Sequence, residues 1–457
     1  MAVCCACIHV NPSFILLPPP MPNVTPCHTL IHLVSDQTMQ NVLPILALNP
    51  QRVVQVMSWD AVRFKKAAIN TREAVTQGCQ PGIAAPQEWR EASVGAESPT
   101  IEETRRTVAE LLGQNPGAWL NYTGGTKNMS IGAWLAGREE KAHLLYCDTP
   151  REFVPGTVEG ALPPQTLQQV AKRLTVPILL ASQGLLRGRE WERRGISLEE
   201  KKLGEVSYRL IQQYGQTFRD YRHRLLLHGL RRSGAKAKPA DAERVNRESI
   251  PVPDHKDFDP FLNAALDIGL LRIDTDGYLF YNISSNERNS RKRSGQVDRI
   301  AQGLTGTAFE AYVAMLLERS TRFASFLSNI YPVGQHPEEH GFGETDFLAY
   351  EPASLALTLI SCKSSPPSLE HLESLLARKG KFGGLFARTL LCVEYGVSAN
   401  REAELRSRCQ SLGIGCAVGD EIAPALGTEP EIPIKATEDP KPEMTGPGRQ
   451  ESAHPGK

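Results

Sequence analysis

The order of apolar and polar segments near the start of the chain constrains the fold most. Residues 29–34 read as a buried strand, residues 39–48 as a helix, residues 52–57 as a second strand and residues 59–77 as a second helix. Strands that alternate with helices in this way are typical of a parallel, doubly wound sheet. Ligands of such sheets bind beyond the carboxyl ends of the strands, so the turns at those ends are candidate binding residues.

Two polar turns follow strands of this pattern. Ser35, Asp36 and Gln37 follow the first strand, and Ser35 or Asp36 is suited to cap the next helix. A glycine-rich turn, Thr123 to Asn128, follows the strand that begins at Trp119 and opens a helix predicted over residues 128–137. We expect the two turns to line one pocket.

The glycine-rich turn suits an anionic ligand. Backbone N–H groups at a helix N-terminus attract anions, and Lys127 adds a positive charge. The spacing of the glycines fits neither the Walker A loop nor the dinucleotide-binding fingerprint. A plain strand-to-helix turn is the alternative interpretation.

A second group of polar residues lies in the C-terminal third. Glu344 and Asp346 stand just before or on one predicted strand, and Ser361, Cys362 and Lys363 end the next, predicted over residues 355–363. Hard cations prefer carboxylate oxygens, and an ammonium group can stabilise charge on a phosphate. Because side chains alternate along strands, Asp346 and Lys363 can converge on one face. Two ordinary strands with polar ends are the alternative.

The segments on either side of these two strands favour a functional site over two ordinary strands. Apolar residues at helical spacing form one stripe between Phe309 and Leu317, and Glu310 flanks that stripe. Residues 368–379 read as a helix and residues 388–394 as a buried strand. The order is therefore helix, strand pair, helix, strand.

The middle of the chain is predicted to be helical over residues 198–230 and 258–271. An Asp276-Gly277 pair inside residues 272–282 indicates a hairpin. A helix followed by a hairpin suggests a small winged-helix-like element. The basic segment 288–293 after it is either a solvated loop or a phosphate contact.

Composition limits the remaining function classes. The 457 residues carry equal numbers of basic and acidic side chains, 51 of each, which counts against a protein that coats DNA constitutively. The ten cysteines do not form a zinc pattern of two Cys-x-x-Cys pairs, so we expect free thiols in the cytoplasm. No apolar run reaches transmembrane length, and we expect no membrane association.

Together, these segments resemble a known architecture. The turn at Ser35 to Gln37 and the loop from Asn121 to Lys127 look like those of the CARF domain of CRISPR ancillary nucleases, in the Card and Can group. The strands with Asp346 and Lys363 resemble the PD-(D/E)xK nuclease core. The resemblance implies an α/β protein: a Rossmann-like CARF domain, a restriction-endonuclease-like α/β domain, and the winged-helix-like element between them.

The domain boundaries follow from this resemblance. We expect a disordered leader over residues 1–26, with Met21 as an alternative start, and a CARF sensor over residues 27–180. A helical linker and the winged-helix-like element would fill residues 181–300. The nuclease would span residues 301–422, and a disordered tail residues 423–457.

The resemblance also implies an activity. CARF homodimers bind a cyclic oligoadenylate, most often the four-adenosine ring made by type III CRISPR complexes, and then activate metal-dependent cutting of DNA or RNA without sequence specificity. The implied ligand contacts are Ser35, Asp36, Gln37, Thr123, Gly124, Gly125, Thr126, Lys127 and Asn128. The implied catalytic residues are Glu310, Glu344, Asp346, Ser361 and Lys363. Mg²⁺ or Mn²⁺ would bind Asp346, Glu344, Glu310 and the backbone carbonyl of Cys362.

One residue departs from the pattern of the nuclease family and leaves other functions open. The family usually has Glu or Asp where this chain has Ser361, and a hydroxyl is a poorer metal ligand than a carboxylate. Glu344 is expected to supply the missing charge. The alternatives are a CARF winged-helix transcription regulator, and a protein with a decayed nuclease that sequesters the ring.

Overall fold

The computed structural model describes a large part of the chain. The described residues are 9–10, 27–58, 61–79, 84–95, 98–148, 152–155, 169–185, 190–193, 196–215, 217–222, 244–245, 255–273, 279–281, 303–333, 345–364, 366–383, 387–394 and 399–428. Glu344, the basic segment 288–293, most of the predicted leader and nearly all of the predicted tail lie outside them.

The described part of the chain contains the predicted strands and helices and others that the sequence did not predict. The strands are β1 His9–Val10, β2 Thr29–Leu33, β3 Arg52–Ser58, β4 Glu88–Val94, β5 Trp119–Asn121, β6 His143–Asp148, β7 Glu152–Pro155, β8 Glu190–Arg193, β9 Arg244–Val245, β10 Leu271–Ile273, β11 Leu279–Tyr281, β12 Ser325–Val333, β13 Thr345–Glu351, β14 Ala356–Lys363, β15 Arg388–Val393 and β16 Gly415–Val418. The helices are α1 Met39–Leu48, α2 Ala61–Gly78, α3 Ile101–Gln114, α4 Lys127–Glu139, α5 Val176–Ser182, α6 Leu198–Tyr214, α7 Asp259–Asp267, α8 Ala308–Glu318, α9 Leu369–Gly383, α10 Ala399–Ser411 and α11 Ile422–Ala425.

The N-terminal sheet has six strands in the order β4-β3-β2-β5-β6-β7. The first five are parallel and β7 is antiparallel to β6. Strands β2 and β5 are central neighbours, so their carboxyl ends meet at one edge. Helices α1 and α2 cover one face and α3 and α4 the other, which buries both faces as a parallel sheet requires. The prediction of a Rossmann-like α/β sheet is confirmed.

The C-terminal sheet is mixed. Its order is β1-β12-β13-β14-β15-β16, and β8 also pairs with β12. Strands β12, β13 and β14 are antiparallel neighbours, whereas β14, β15 and β16 run parallel. Apolar residues of α8 pack on one face and those of α9 and α10 on the other. The predicted order of helix, strand pair, helix and strand is observed, with one further strand, β12, between α8 and the pair that the sequence did not predict.

The middle of the chain contributes helix α6, a helical segment over residues 217–222, helix α7 and a small antiparallel sheet of order β10-β11-β9. Pairing of β10 with β11 agrees with the predicted hairpin. Arg219 donates to Asp420 at 2.9 Å, and the buried Arg222 forms an ion pair with the buried Glu394. The segment 217–222 is thereby attached to the carboxyl ends of the C-terminal sheet.

Within the described part of the chain, no helix is long and apolar enough to cross a membrane. The described cysteines carry free thiols, and most are buried. The free thiols agree with the sequence-based expectation.

Candidate ligand pocket and candidate nuclease site

The two polar turns of the N-terminal sheet lie side by side. The Gly125 N–H donates to the Val34 carbonyl at 3.1 Å, which joins the glycine-rich loop to the chain just before Ser35. A Cβ atom on Gly124 would lie 2.2 Å from the Leu33 carbonyl oxygen and 3.1 Å from Ser35 Cβ. Only glycine permits this approach, since real Cβ atoms do not come so close to backbone.

The glycine-rich loop ends at a capped helix. Thr126 is the N-cap of α4, and its hydroxyl accepts a hydrogen bond from the Met129 N–H at 3.3 Å. Lys127 and Asn128 are exposed in the first turn. A capped helix N-terminus with an exposed cation can attract an anionic group. The helix begins one residue earlier than predicted.

The turn after β2 does not cap α1 in the expected way. Thr38 is the N-cap residue of α1 without a capping hydrogen bond, and the Ser35 hydroxyl accepts instead from the Gln37 N–H at 3.2 Å. The prediction that Ser35 or Asp36 caps this helix is wrong. The Thr38 hydroxyl donates to the carbonyl of Ser182, at the end of α5.

Sequence reasoning did not assign a role to the Asn121 side chain, which connects the glycine-rich loop to helix α1. Its Oδ1 accepts from the Thr123 hydroxyl at 2.7 Å and from the Thr123 N–H at 3.2 Å. Its Nδ2 donates to the Gln40 carbonyl in α1 at 2.9 Å. A buried asparagine at the last position of a strand was the available signal, because buried amides must find partners.

A row of buried polar side chains crosses the sheet beside this site. His32 lies in register with Gln55 on one side and Asn121 on the other, and all three are fully buried. Burial lowers the pKa of His32 to about 4, although Asn41 opposes the shift. The His32 imidazole is therefore neutral at physiological pH.

In the C-terminal sheet, Asp346 and the end of β14 meet as predicted. Asp346 Oδ2 accepts from the Ser361 hydroxyl at 3.2 Å and from the Cys362 N–H at 2.6 Å. Both bonds fix the orientation of one carboxylate oxygen and leave Oδ1 as the candidate metal ligand. Asp346 and Lys363 are both half-buried, so solvent reaches this strand end.

The other described candidates surround the same strand end. Burial raises the pKa of the Cys362 thiol well above its usual range. Cys392 and the carboxylates of Asp346 and Glu310 add to this rise, whereas Lys363 opposes it. Glu310 in the first turn of α8 and Lys363 are thus close enough to Cys362 to act on it electrostatically. Ser361 is buried, and its hydroxyl bonds to Asp346.

These donors suit a divalent cation that takes few of its ligands from the protein. The described residues hold no group of three His, Cys, Asp or Glu side chains that could bind a metal, and Glu344 lies outside them. Mg²⁺ commonly uses only one or two carboxylates, with water and substrate phosphate completing the shell. Asp346, which accepts from the Cys362 N–H, and Glu310, whose carboxylate acts on the Cys362 thiol, are the described carboxylates available for that lower requirement.

Helix α5 connects the two sheets. Its seven residues are all buried, and they share one apolar core with α1 and with residues of β12 and β13. At its start, the Val176 N–H donates to the Ser325 hydroxyl of β12 at 3.1 Å. The Tyr350 hydroxyl of β13 donates to the Ala171 carbonyl, just before α5, at 2.7 Å. At the other end of α5, the Ser182 carbonyl accepts a hydrogen bond from the Thr38 hydroxyl.

These features define a class: an α/β protein in which a doubly wound parallel sheet, with a glycine-rich loop at its carboxyl edge, is joined to a second, mixed sheet. The particular family of the sensor follows from sequence comparison. Residues 29–176 match the family model of the Card1 CARF domain, so this part of the chain is a CARF domain.

Solved structures agree over most of the chain. Can2 from Sulfobacillus thermosulfidooxidans, in complex with cyclic tetra-adenylate, matches 87% of this chain and 96% of its own with 18% identity and a TM-score of 0.54. Protein VC1899 from Vibrio cholerae matches 87% of this chain and 95% of its own with 14% identity and a TM-score of 0.58. At these identities the likeness is one of fold. Comparison with the curated proteins gave no match. The resemblance to the CARF proteins of the Card and Can group is confirmed.

Proposed function

We propose that this protein is a metal-dependent nuclease of type III CRISPR defence that a cyclic oligoadenylate, first of all cyclic tetra-adenylate, activates. The observation that carries this proposal is that one chain joins a CARF domain to a sheet in which Asp346 bonds to Ser361 near the strand end that Lys363 completes. The activity belongs in the cytoplasm, where its nucleic-acid substrates are.

The sensor would bind the ring at the carboxyl ends of β2 and β5. The proposed contacts are Ser35, Asp36, Gln37, Thr123, Gly124, Gly125, Thr126, Lys127 and Asn128. Two chains would enclose one ring, because a two-fold symmetric dimer offers the same groups to both halves of a symmetric ligand. Backbone N–H groups of the loop and Lys127 supply the positive potential that phosphates require.

The nuclease site would work through residues fixed by the strands. A divalent cation, when bound to Asp346 with Glu344, Glu310 and the Cys362 carbonyl, supplies an activated water and charge neutralisation. Ser361 and the Cys362 N–H hold the Asp346 carboxylate in place. Lys363 stabilises the negative charge that develops on the scissile phosphate. The substrate is DNA, RNA or both.

Helix α5 would transmit ligand binding to the nuclease. Movement of the turn at Ser35 to Thr38 displaces Ser182, because the Thr38 hydroxyl bonds to its carbonyl. A short helix buried on all sides moves as a unit, since packed cores do not deform continuously. Its other end bonds to β12, and Tyr350 bonds to the segment before it. Ligand binding then shifts the population of effector arrangements.

A regulator is the second candidate, favoured by one observation. Helix α7 and the sheet of β9, β10 and β11 form a small helix-and-wing-like unit between the two larger domains. In a regulator this unit would bind duplex DNA and the chain would cut nothing. A third role, sequestering the ring, would follow if Ser361 leaves the metal site too weak.

Ligand binding separates the sensor proposal from the nuclease proposal. Calorimetry of the full chain with cyclic tetra-adenylate should give one ring for two chains, and light scattering should give a dimer. A chain that binds neither cyclic tetra-adenylate nor the six-adenosine ring would contradict the sensor function. A ligand-dependent shift of a specific duplex without cleavage would favour the regulator.

A further inference from the structure

Asn329 has an unusual backbone conformation for a residue inside a strand. Its φ is 46°, in the left-handed region, although β12 extends from Ser325 to Val333. The other described non-glycine residues with positive φ lie at helix ends or in a turn: Asn49, Lys141 and Leu355. Asparagine enters the left-handed region more readily than most residues, and residues held in this region inside regular structure concentrate at functional sites.

The left-handed conformation of Asn329 interrupts the alternation of β12 side chains between the two faces of the sheet. Leu327 and Ile330 both belong to the same apolar core, whereas regular alternation would send them to opposite faces. The register pairs Ser328 with Phe347 and Ile330 with Thr345. Asn329 lies between these two paired positions, level with Asp346 of the candidate nuclease site, although the register does not pair the two residues.

The Asn329 side chain is buried with an unused acceptor. The residue is 8% exposed, and its Oδ1 has no hydrogen-bond partner among the described residues. An unsatisfied buried carbonyl costs about 1–3 kcal/mol, so its presence in a native structure calls for an explanation. One explanation is an ion that binds to the oxygen. The Thr345 hydroxyl, next to Asp346, is likewise buried and unpartnered in the described part of the chain.

We propose that Asn329 Oδ1 is a further oxygen ligand for the divalent cation, compensating for the hydroxyl of Ser361 where a carboxylate is usual. Side-chain amide oxygens are suitable ligands for hard cations. The left-handed backbone places an oxygen donor, without added charge, on the strand beside Asp346. This inference rests on the proposed metal-dependent function.

The test distinguishes the contribution of the Asn329 side-chain oxygen from that of its backbone conformation. Asn329→Gly keeps the left-handed conformation at no steric cost and removes the oxygen, whereas Asn329→Asp keeps an oxygen and adds charge. Mn²⁺ binding to the full chain, with cyclic tetra-adenylate and without nucleic acid, is measured by electron paramagnetic resonance. Asn329→Gly should weaken Mn²⁺ binding about tenfold, the lower end for lost metal-site partners. Asn329→Asp should bind at least as tightly as the natural chain.

A matched set of variants makes the outcomes distinct. Ser328→Gly, on the neighbouring buried position, should leave Mn²⁺ binding unchanged, and melting temperatures verify that each variant folds. Unchanged binding in Asn329→Gly, with weakened binding in Asp346→Ala, would overturn the role of Asn329 alone. Unchanged binding in Asp346→Ala would overturn the proposed metal site itself.

Discussion

The hydroxyl of Tyr350 donates a hydrogen bond of 2.7 Å to the backbone carbonyl of Ala171, and both groups are buried. Tyr350 lies on β13 four residues after Asp346, about 13 Å along the strand. Ala171 belongs to the segment that leads into α5, whose far end bonds to Thr38 in the CARF domain. This buried bond is therefore one of the contacts that connect the strand of the candidate nuclease site to the CARF domain.

Removing this bond should separate ligand binding from activation. In Tyr350→Phe the ring stays and the Ala171 carbonyl loses its donor, at a cost of about 1 kcal/mol. We expect unchanged affinity for cyclic tetra-adenylate but a severalfold lower ligand-activated cleavage rate. Calorimetry and a fluorogenic cleavage assay measure the two quantities.

Tyr208→Phe is the matched control for that variant. Tyr208 is equally buried, but its hydroxyl has no hydrogen-bond partner among the described residues. Its activated rate should equal that of the natural chain. Equal activated rates in both variants would show that the bond to Ala171 does not transmit the signal.

Gly124 should be essential for ligand binding. In Gly124→Ala the new Cβ meets the Leu33 carbonyl, so the loop must move away from the turn at Ser35. We expect the affinity for cyclic tetra-adenylate to fall at least about tenfold, roughly 1.4 kcal/mol, in a chain that still folds. Gly113→Ala in α3, where a Cβ meets nothing within 4 Å, should bind normally and melt slightly higher. Normal ring affinity in Gly124→Ala would remove this loop from the pocket.

Asp346 should be required for cutting but not for sensing. Asp346→Ala removes the carboxylate that Ser361 and the Cys362 N–H orient, so cleavage should fall on the order of a hundredfold or more. Ring binding should be unchanged. The control is Glu351→Gln, at the opposite end of β13, where the carboxylate binds Arg322 at 2.7 Å. That variant should lose stability and keep its activity, while undiminished cutting by Asp346→Ala would refute the site.

His32 should make stability depend on pH. Burial lowers its pKa to about 4 in the folded chain, whereas the ordinary histidine pKa, expected in the unfolded chain, is 6.5. Between these values the unfolded chain binds more protons, so stability is complete above pH 6.5 and falls as pH decreases toward 4. The slope is about 1.4 kcal/mol per pH unit for one such group. Melting temperatures of His32→Gln should decline less between about pH 7 and pH 5 than those of the natural chain; parallel declines would contradict the assignment.

Local patterns predicted the central strands of both sheets, because alternation and helical spacing are properties of short segments, whereas strands such as β4, β6, β12 and β16 were not predicted. The turn at Ser35 and the loop at Gly124 were expected to meet, since parallel strands bring their carboxyl ends together. The role of Asn121 was missed, because its partners come from α1 and the loop and are visible only after folding.

Long-range contacts account for the remaining differences. The capping prediction for Ser35 or Asp36 failed because Thr38 begins the helix and its hydroxyl bonds to Ser182, more than a hundred residues away. The bond from Tyr350 to Ala171 and the left-handed φ of Asn329 likewise depend on how distant strands pack. No local pattern carries that information.

The most direct test of the account is a cleavage assay of the full chain. Labelled single-stranded DNA, single-stranded RNA and plasmid are incubated with Mg²⁺ or Mn²⁺, with and without cyclic tetra-adenylate. The account predicts cutting of at least one substrate that requires both the metal and the ring, and that disappears in Asp346→Ala. Absence of cutting on every substrate, in a chain shown to bind the ring, would contradict the nuclease function and favour the regulator or the sequestering protein.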